Sequence, residues 1–325
     1  MVSPTEIVAG DIGGTNARFA IAEVADGKVV KLDEPVTLHT SDYASLAVCW
    51  EAFGKTLNRP LPRAAALAVA SPITGEFLKL TNSPWVIRPA SLKQELNVDA
   101  LTLINDFGAV GYAVSQLSPE HLHHIAGPAQ NLPAEGVITV IGPGTGFGVA
   151  HILRRAGQTH VIECEGGHMD FSPLDPVEDA ILVNLRQRYA RVSVERIVAG
   201  PGLRNIYEAQ AAIEGRAVQI HDDAELWTQA IAGSDPQAVA ALARFCLSLG
   251  AVAGDLVLAQ GAVAVVIAGG VVPHIAHLLP RSGFAERFIA KGRFEHMMST
   301  IPVKLITHPQ PGLLGVAAAF AAMHP

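Results

Sequence analysis

Two glycine-rich turns, one in each half of the chain, limit what this sequence can fold into more than any other feature. The first spans residues 11–15 (Asp-Ile-Gly-Gly-Thr) and the second spans residues 142–146 (Gly-Pro-Gly-Thr-Gly). Each follows an apolar, β-branched run and precedes another strand-like run, which predicts a strand–turn–strand unit. Glycine leaves no Cβ between backbone and ligand, and successive N–H groups in such a turn can converge on an anion. Two such turns could hold a polyphosphate from two sides.

A structural explanation of the turns stands beside this one, because a Gly-Gly turn between strands is commonly only a tight hairpin. The doubled occurrence, the threonine hydroxyl in each turn and the aspartate that ends the first strand favour phosphate binding. Neither turn is a Walker loop, because no G-x-x-x-x-G-K-[ST] pattern occurs. A dinucleotide-binding fingerprint is also excluded, because strands rather than helices follow the glycines.

Composition narrows the classes of partner. The chain has 325 residues, of which 50% are hydrophobic and 16% charged, so it can form about two domains with sizeable cores. Its 23 Lys and Arg against 30 Asp and Glu give a formal charge of −7. Without a basic stripe, nucleic acid is not an expected partner. A polyanionic ligand would be held by backbone donors and a divalent cation.

The sequence predicts a cytoplasmic protein without a membrane span. The three cysteines are far apart and form no C-x-x-C pair, which fits a reducing compartment. No secretory signal is visible at the N-terminus. The uncharged run from Leu256 to Val272 is nearly long enough to cross a bilayer. Its glycines favour the end of a buried helix, a turn and a buried strand instead.

Alternating strands and helices predict an α/β protein with a mostly parallel sheet. Strands are predicted in residues 6–37 (three strands), 64–70, 101–104, 137–142, 146–155, 158–162, 263–268 and 303–307. Helices are predicted at residues 41–57, 107–116, 176–190, 201–214, 222–233, 236–260 and 312–323. Ser41 or Asp42 is the expected cap of the first helix.

A Pro-, Ala- and Gly-rich segment at residues 128–136 predicts the domain boundary. We expect a small α/β domain over residues 1–130 that carries the first turn, completed by the C-terminal helix at 312–325. A large α/β domain over residues 131–311 carries the second turn. The strand, glycine turn, strand and helix order occurs in both.

Nine short motifs, spread in order over residues 6–320, resemble those of bacterial glucokinases of the proteobacterial type. They are residues 10–18 (Gly-Asp-Ile-Gly-Gly-Thr-Asn-Ala-Arg), 81–85 (Thr-Asn-Ser-Pro-Trp), 104–107 (Ile-Asn-Asp-Phe), 165–168 (Glu-Gly-Gly-His), 193–196 (Ser-Val-Glu-Arg), 199–203 (Ala-Gly-Pro-Gly-Leu), 267–271 (Ile-Ala-Gly-Gly-Val), 291–294 (Lys-Gly-Arg-Phe) and 311–315 (Pro-Gly-Leu-Leu-Gly). Each motif is weakly specific, whereas the ordered set is highly specific.

The resemblance implies a two-domain, actin-like and hexokinase-like fold of the duplicated ribonuclease H type, with sugar deep in a cleft and ATP across it. It implies ATP-dependent phosphorylation of D-glucose at the 6-hydroxyl, and a homodimer. Both glycine turns would then meet across one crevice that carries residue 106.

Other functions stay open. A kinase for fructose, mannose or an amino sugar would share the fold and the turns. A sugar-binding regulator without turnover would need a DNA-binding segment, for which the residues before the first strand leave no room. An actin-like or chaperone ATPase would not need the sugar-binding residues. The sugar kinases related to transcriptional repressors carry a cysteine-rich zinc motif after their Glu-x-Gly-His segment; residues 169–176 contain no cysteine, so no structural zinc is expected.

Asp106 stands where a predicted strand ends and a helix begins, which is where α/β proteins place ligands. Its carboxylate could accept the proton of a sugar hydroxyl that attacks a γ-phosphate. The structural alternative is that Asp106 caps the helix that follows. The resemblance favours the general base.

The resemblance also assigns the binding residues. The sugar set is Asn82, Asn105, Asp106, Glu165, His168 and Glu195. The nucleotide set is Gly10, Asp11, Ile12, Gly13, Gly14, Thr15 and Asn16 in the first segment, Gly142, Gly144, Thr145 and Gly146 in the second, and Gly269 and Gly270 on the adenosine side. Asp11 would orient Mg²⁺ through water, since Mg²⁺ keeps much of its hydration shell; a turn aspartate that bonds its own backbone is the alternative.

Two conspicuous groups are interpreted as having no chemical role. The histidines at 121, 123 and 124 lack a carboxylate or cysteine partner at ligand spacing and are expected to form a polar surface segment. The arginines at 186, 188 and 191 are expected on the solvated face of a helix.

Overall fold

A computed structural model of the protein describes residues 4–80 and 82–324, so Thr81, the first residue of one motif, lies outside the described residues. The chain divides into two compact units. The first unit comprises Met1–Ser118, Val161–Glu163 and His308–Pro325, and the second comprises Pro119–His160 and Cys164–Thr307.

Strands and helices alternate through both units. The strands are β1 (Thr5–Ile12), β2 (Asn16–Ala25), β3 (Lys28–Leu32), β4 (Val36–His39), β5 (Ala64–Val69), β6 (Leu78–Lys79), β7 (Val86–Ile87), β8 (Ala100–Asn105), β9 (Leu122–Ala126), β10 (Gly136–Pro143), β11 (Phe147–Arg155), β12 (Gln158–Cys164), β13 (Ala262–Ile267) and β14 (Val303–Ile306). The helices are α1 (Leu46–Thr56), α2 (Pro89–Glu95), α3 (Asp106–Gln116), α4 (Pro176–Leu185), α5 (Glu195–Val198), α6 (Gly202–Ile213), α7 (Asp223–Ala232), α8 (Pro236–Gln260), α9 (Val272–Ile275), α10 (Phe284–Ile289), α11 (Glu295–Ser299) and α12 (Pro311–Met323).

The main sheet of the first unit has the strand order β3-β2-β1-β5-β8, with β4 also paired to β2. β1 and β2 form an antiparallel hairpin around the first glycine turn, whereas β5 and β8 run parallel to β1. Ile12 is level with Val69, which is level with Asn105. The first turn and Asp106 therefore leave the same edge of one sheet, two strand spacings or about 10 Å apart.

Both faces of this sheet are covered by apolar side chains. Val8 and Ile12 face a cluster that includes Trp50 and Phe53 of α1. Ile7 and Ala9 face the opposite cluster, which includes Val316 and other residues of α12. The C-terminal helix therefore supplies much of the cover for one face of the first sheet.

The main sheet of the second unit repeats this plan. Its order is β12-β11-β10-β13-β14-β9. β10 and β11 form an antiparallel hairpin around the second glycine turn, and β13 and β14 continue parallel to β10. Ile141 is level with Ile267, so the second turn and the Gly269-Gly270 pair leave the same edge of this sheet. The predicted repeat of topology is thus present.

The second unit starts at Pro119 rather than at residue 131. Its last sheet strand, β9, pairs antiparallel with β14, and His124 is level with Lys304. The histidines at 121, 123 and 124 were expected in a polar surface segment, and His123 is exposed there; what the sequence did not predict is that residues from Leu122 form a strand. Their polar side chains hide the short apolar pattern that marks a strand, so sequence periodicity did not identify it.

Two helix predictions also need correction. Residues Thr40–Asp42 form a short 3₁₀ turn, and α1 begins only at Leu46. Its cap is Ser45, whose hydroxyl accepts a hydrogen bond from the Val48 N–H at 3.3 Å, and not Ser41 or Asp42. α4 ends at Leu185. The arginines that follow it therefore do not form a helix face; Arg191 donates to the Asp170 carboxylate at 2.7 Å.

The uncharged run near residue 260 forms the predicted helix end, turn and strand. α8 ends at Gln260, its C-cap Gly261 has a left-handed backbone with φ of 59°, and β13 follows at once. Among the described residues, α8 is long and apolar enough to cross a membrane by length and composition. Of its most apolar window, 72% is buried inside the protein, as in the core helix of a folded domain.

A buried ionic cluster ties α4 to α8 and α10. Glu178 is 1% exposed and accepts hydrogen bonds from the Leu174 N–H at 2.7 Å and from the Ser248 hydroxyl at 3.2 Å. Arg244 and Arg287 both pair with Glu178 and with Asp175, the N-cap of α4. Every carboxylate in the cluster is thus matched by guanidinium or hydroxyl donors, as a buried charge requires.

The cluster should make part of the stability depend on pH. Burial by itself raises the pKa of the Asp175 carboxyl from its ordinary value of 3.8, but the Glu178 backbone N–H and the two guanidinium groups outweigh burial and lower the pKa to about 2. A lowered pKa contributes stability that is present above the unfolded value and is lost as pH falls through the folded value.

We expect Asp175→Asn, which keeps the helix cap, to lower the free energy of unfolding by about 2 kcal/mol at pH 7. The difference from the wild type should shrink as pH falls from about 4 toward 2. Urea denaturation across this pH range checks it, with the exposed Asp179→Asn as the control. A difference that stays constant over the range would contradict the assignment.

Candidate functional site

The first glycine turn is held from below by its own strand and by Thr40. The Gly13 N–H donates to the Asn16 carbonyl at 2.9 Å, and the Thr40 N–H donates to the Thr15 carbonyl at 3.0 Å. The Thr40 hydroxyl donates to the Gly14 carbonyl at 2.7 Å. Thr40 is 2% exposed, so these bonds are shielded from water, while Thr15 itself is exposed. The carbonyls of Gly14 and Thr15 are therefore fixed toward the buried Thr40.

Gly10 and Ile12, also predicted in the nucleotide set, lie in the buried part of β1. A Cβ on Gly10 would come within 2.5 Å of Leu67 Cδ2 and 3.1 Å of the Phe19 ring. Close packing against Leu67 and Phe19 is therefore sufficient to explain why residue 10 is a glycine.

Asp11 is the next-to-last residue of β1 and lies beside Gly312 at the start of α12. Burial raises the pKa of its carboxyl, and the Arg18 guanidinium, 3.5 Å away, opposes that rise only in part. A Cβ on Gly312 would come within 2.8 Å of Asp11 Oδ2, so the glycine leaves room for the carboxylate. No group of three or more His, Cys, Asp or Glu side chains suited to a metal occurs in the described ranges. A single carboxylate suits Mg²⁺ that arrives with phosphates and water rather than a resident metal.

Asn105 and Asp106 occupy the start of α3. Asn105 is the N-cap: its Oδ1 accepts from the N–H groups of Phe107 at 2.8 Å and Gly108 at 3.3 Å. Its Nδ2 donates to the Ser71 carbonyl at 3.3 Å. Asn105 therefore has at most one further amide hydrogen for a ligand.

The alternative that Asp106 caps α3 is not supported, because the N-cap position belongs to Asn105. Asp106 is the first residue of α3, half-buried at the carboxyl edge of the sheet, and its Oδ1 accepts from the Phe107 N–H at 2.9 Å. The Asn105 N–H donates to Glu163 Oε1 at 3.2 Å, and Glu163 lies against Gly108, where a Cβ would overlap it. Sequence reasoning missed Glu163, Ser71 and Thr40, since a supporting contact leaves no local pattern.

Asn82 lies in the segment between the short strands β6 and β7 of the first unit. It is exposed and has a left-handed backbone with φ of 65°, a conformation that Asn tolerates better than most residues. Trp85 anchors the segment, since its indole N–H donates to the Tyr43 carbonyl at 2.8 Å.

The second glycine turn is braced by two neighbouring segments. The Gly144 N–H donates to the Gly146 carbonyl at 2.9 Å, and the Gly200 N–H donates to the Gly144 carbonyl at 2.7 Å. The Val271 N–H donates to the Pro143 carbonyl at 3.2 Å. Gly269 has φ of 88° and lies so close to the Pro143 carbonyl that a Cβ there would overlap it. The segment that carries the predicted adenosine-side glycines is therefore in direct contact with the turn.

The Glu165-to-His168 motif rests on β11, the strand that leaves this turn. Gly166 and Gly167 are buried in a 3₁₀ turn. A Cβ on Gly166 would come within 2.7 Å of Val149 Cγ2, and one on Gly167 would overlap the Phe147 carbonyl. Only glycine allows this approach. It leaves the Glu165 and His168 side chains exposed above the strand.

Glu195 contacts both the Glu165-to-His168 motif and the second glycine turn. The Val194 N–H donates to the Met169 carbonyl at 2.8 Å, which brings the first residue of α5 beside the motif. Glu195 Oε1 is 3.8 Å from His168 Nδ1. On its other side, a Cβ on Gly146 would come within 3.1 Å of Glu195 Oε2. The second unit thus gathers three predicted groups: His168, Glu195 and the second turn.

The fit of Gly167 against β11 yields a stability test. We expect Gly167→Ala to lower the free energy of unfolding by about 2 kcal/mol or more, because the new methyl group overlaps backbone that cannot move alone. Gly270→Ala is the matched control, since a Cβ there would meet nothing within 4 Å; its effect should stay within about 0.5 kcal/mol. Equal effects in urea denaturation would refute the packing argument.

Comparison with known proteins gives one consistent result. The glucokinase family model matches residues 8–323. The glucokinase of Zymomonas mobilis is 62% identical over 316 residues, covering 97% of this chain and 98% of that protein. The crystal structure of a glucokinase from an Antarctic psychrotroph superposes with a TM-score of 0.85 at 35% identity, covering 98% and 99% of the two chains.

A more distant structure, a ROK family glucokinase from Streptomyces griseus in complex with glucose and AMPPNP, has a TM-score of 0.62 at 16% identity over 97% of this chain and 98% of that chain. At this identity it supports the fold alone. The predicted two-domain, actin-like α/β fold is confirmed by these neighbours. Since the family model and the relatives span nearly the whole chain, this protein is a member of the glucokinase family.

Proposed function

We propose that this chain transfers the γ-phosphoryl group of ATP to the 6-hydroxyl of D-glucose, giving glucose 6-phosphate and ADP. The observation that carries the proposal is the position of Glu195, which lies 3.8 Å from His168 and against Gly146 of the second turn. A sugar-binding carboxylate beside a phosphate-binding turn is what transfer between these two ligands requires. Membership of the glucokinase family supports the choice of glucose and ATP.

The sugar-binding groups have the chemistry that hydroxyls need. A hexose hydroxyl both donates and accepts, so carboxylates, amides and imidazoles can hold it in pairs. We assign this role to Glu165, His168 and Glu195 in the second unit and to Asn82, Asn105 and Asp106 in the first. The Glu165 and His168 side chains are exposed, whereas Asn105 offers one amide hydrogen at most.

Asp106 is assigned as the general base. Phosphoryl transfer depends on positioning and charge stabilisation, with a carboxylate that accepts the proton of the attacking hydroxyl. The start of α3 holds Asp106 at the sheet edge that it shares with the first glycine turn. The separation of about 10 Å across two strands leaves room for a sugar and a terminal phosphate between base and turn.

The nucleotide is assigned to the glycine segments. Residues 13–16 and 144–146 would meet the β- and γ-phosphates, and Gly269 and Gly270 the adenosine side. Asp11 would hold Mg²⁺ through water; the ion would supply charge neutralisation between the phosphates when bound. We further propose a cytoplasmic homodimer that acts in glycolysis, without nucleic-acid or membrane partners. Light scattering after size-exclusion chromatography tests the dimer.

The assignment of the base predicts a loss of turnover without a loss of folding. Asp106→Asn should reduce kcat to under about 1% of the wild-type value, since losing a general base typically costs 10²–10⁴ in rate. A coupled assay for glucose 6-phosphate measures it, and circular dichroism with glucose titration shows that the variant folds and binds sugar. Near-normal kcat in a folded variant would remove Asp106 from the mechanism.

The assignment of the ligand sides predicts opposite changes in KM. Glu165→Ala should raise KM for glucose by about tenfold or more while KM for ATP changes by less than about twofold. Thr145→Ala on the second turn should show the reverse pattern. Steady-state kinetics with each substrate varied in turn gives both values. Parallel changes in the two KM values would contradict the division.

Substrate choice is tested with glucose, fructose, mannose and N-acetylglucosamine in the same assay. Glucose should give the highest kcat/KM. Faster turnover of another hexose would support the related-kinase alternative, sugar binding without turnover the regulator, and sugar-independent ATP hydrolysis the filament or chaperone class.

A further inference from the structure

We propose that Trp227 is a positioning residue for the nucleotide: through Gly200 it holds the second glycine turn in place. This rests on the proposed function of the turn as a phosphate-binding loop. Neither the glucokinase motifs nor local sequence pattern singles out Trp227. It lies in α7, 81 positions after Gly146, the last residue of the second glycine turn.

The indole is fixed by packing and by one hydrogen bond. Trp227 stands on α7 and meets Phe245 of α8 edge to face, with the ring centroids 5.3 Å apart. Phe245 is fully buried, so the ring contact belongs to the core of the second unit. The indole N–H donates to the Gly200 carbonyl at 3.0 Å. The hydrophobic core is thereby connected to the segment at residues 199–202.

Gly200 passes this constraint to the turn. Its carbonyl accepts from Trp227, while its N–H donates to the Gly144 carbonyl at 2.7 Å. The two segments touch so closely that a Cβ on Gly200 would come within 3.0 Å of the Gly144 oxygen. A shift of Gly200 therefore moves Gly144 or breaks this bond.

The tip of the second turn is held mainly by main-chain contacts. A Cβ on Gly144 would meet nothing within 4 Å, and Thr145 is exposed. Besides the bond within the turn from the Gly144 N–H to the Gly146 carbonyl, two main-chain hydrogen bonds reach it from other segments: Gly200 to Gly144 and Val271 to Pro143. Loss of the indole donor would leave Gly200, which supplies one of these two bonds, less firmly held. Because the turn contributes N–H groups to the phosphates rather than to the sugar, the effect should appear on the nucleotide side.

The test is Trp227→Phe, which keeps an aromatic ring against Phe245, removes the N–H donor and replaces the two-ring indole by a smaller ring. We expect KM for ATP to rise about three- to tenfold, the effect of losing one neutral hydrogen bond, with KM for glucose changed by less than about twofold. Tyr207→Phe is the matched control. It removes a hydroxyl that accepts from the Gln219 N–H at 3.4 Å in the same core and has no bond to the turn.

A merely structural role would lower the melting temperature of both variants and leave KM for ATP unchanged in both. That result, or an equal rise of KM for ATP in both, would overturn the proposal. If the wild-type protein makes no glucose 6-phosphate from glucose and ATP, the proposed function fails instead, so the two failures are distinguishable.

A second measurement avoids substitution in the tested protein. The chain has three tryptophans, so 5-fluorotryptophan labelling gives three ¹⁹F resonances, which the Trp→Phe variants assign. Titration with a non-hydrolysable ATP analogue should shift the Trp227 resonance until the site is saturated. The resonance of Trp50, on α1 of the first unit, should move less. A Trp227 resonance that stays still while the analogue binds would overturn the proposal even if Trp227→Phe failed to fold.

Discussion

The register of parallel strands is the constraint on which the rest of the structure depends. In each unit, the first strand of the glycine-turn hairpin pairs in parallel with the strand on its other side, β5 or β13, so that the carboxyl ends of the parallel strands are level. Main-chain hydrogen bonding thereby brings together groups that are far apart in sequence: the first turn with Asp106, and the second turn with Gly269. A slip of one residue would turn these groups to the opposite face of the sheet.

Glycine serves a second purpose in this protein, which is separate from contact with a ligand. Gly10, Gly166, Gly167 and Gly200 each permit a close approach between a functional segment and the strand or turn beneath it. Such positions look like binding residues in a motif, although their role is to let another residue stand at the right height. Motif resemblance alone does not separate the two roles; the distance at which a Cβ would meet its neighbour does.

Much of the fold could be read from the sequence because apolar runs and glycine turns are local signals. The two hairpins, the helix at 236–260 and the strand end at Asn105 follow from such patterns. Ser45 rather than Ser41 caps α1 because a 3₁₀ turn intervenes, and several polar residues stood at capping distance. β9 was missed because pairing with β14, not its own composition, makes it a strand. In the candidate site, the motifs supplied the residues, while bracing contacts such as Thr40 to Gly14 required coordinates.

The structural contacts of Asn105 have a consequence for how this protein could change its preference among sugars. The same amide caps α3, bonds to the Ser71 carbonyl and stands next to the proposed base. A replacement that altered the proposed sugar contacts of Asn105 would also loosen the start of α3, where Asp106 lies. Under the proposed assignment, changes in sugar preference are therefore expected at the exposed Glu165 rather than at Asn105.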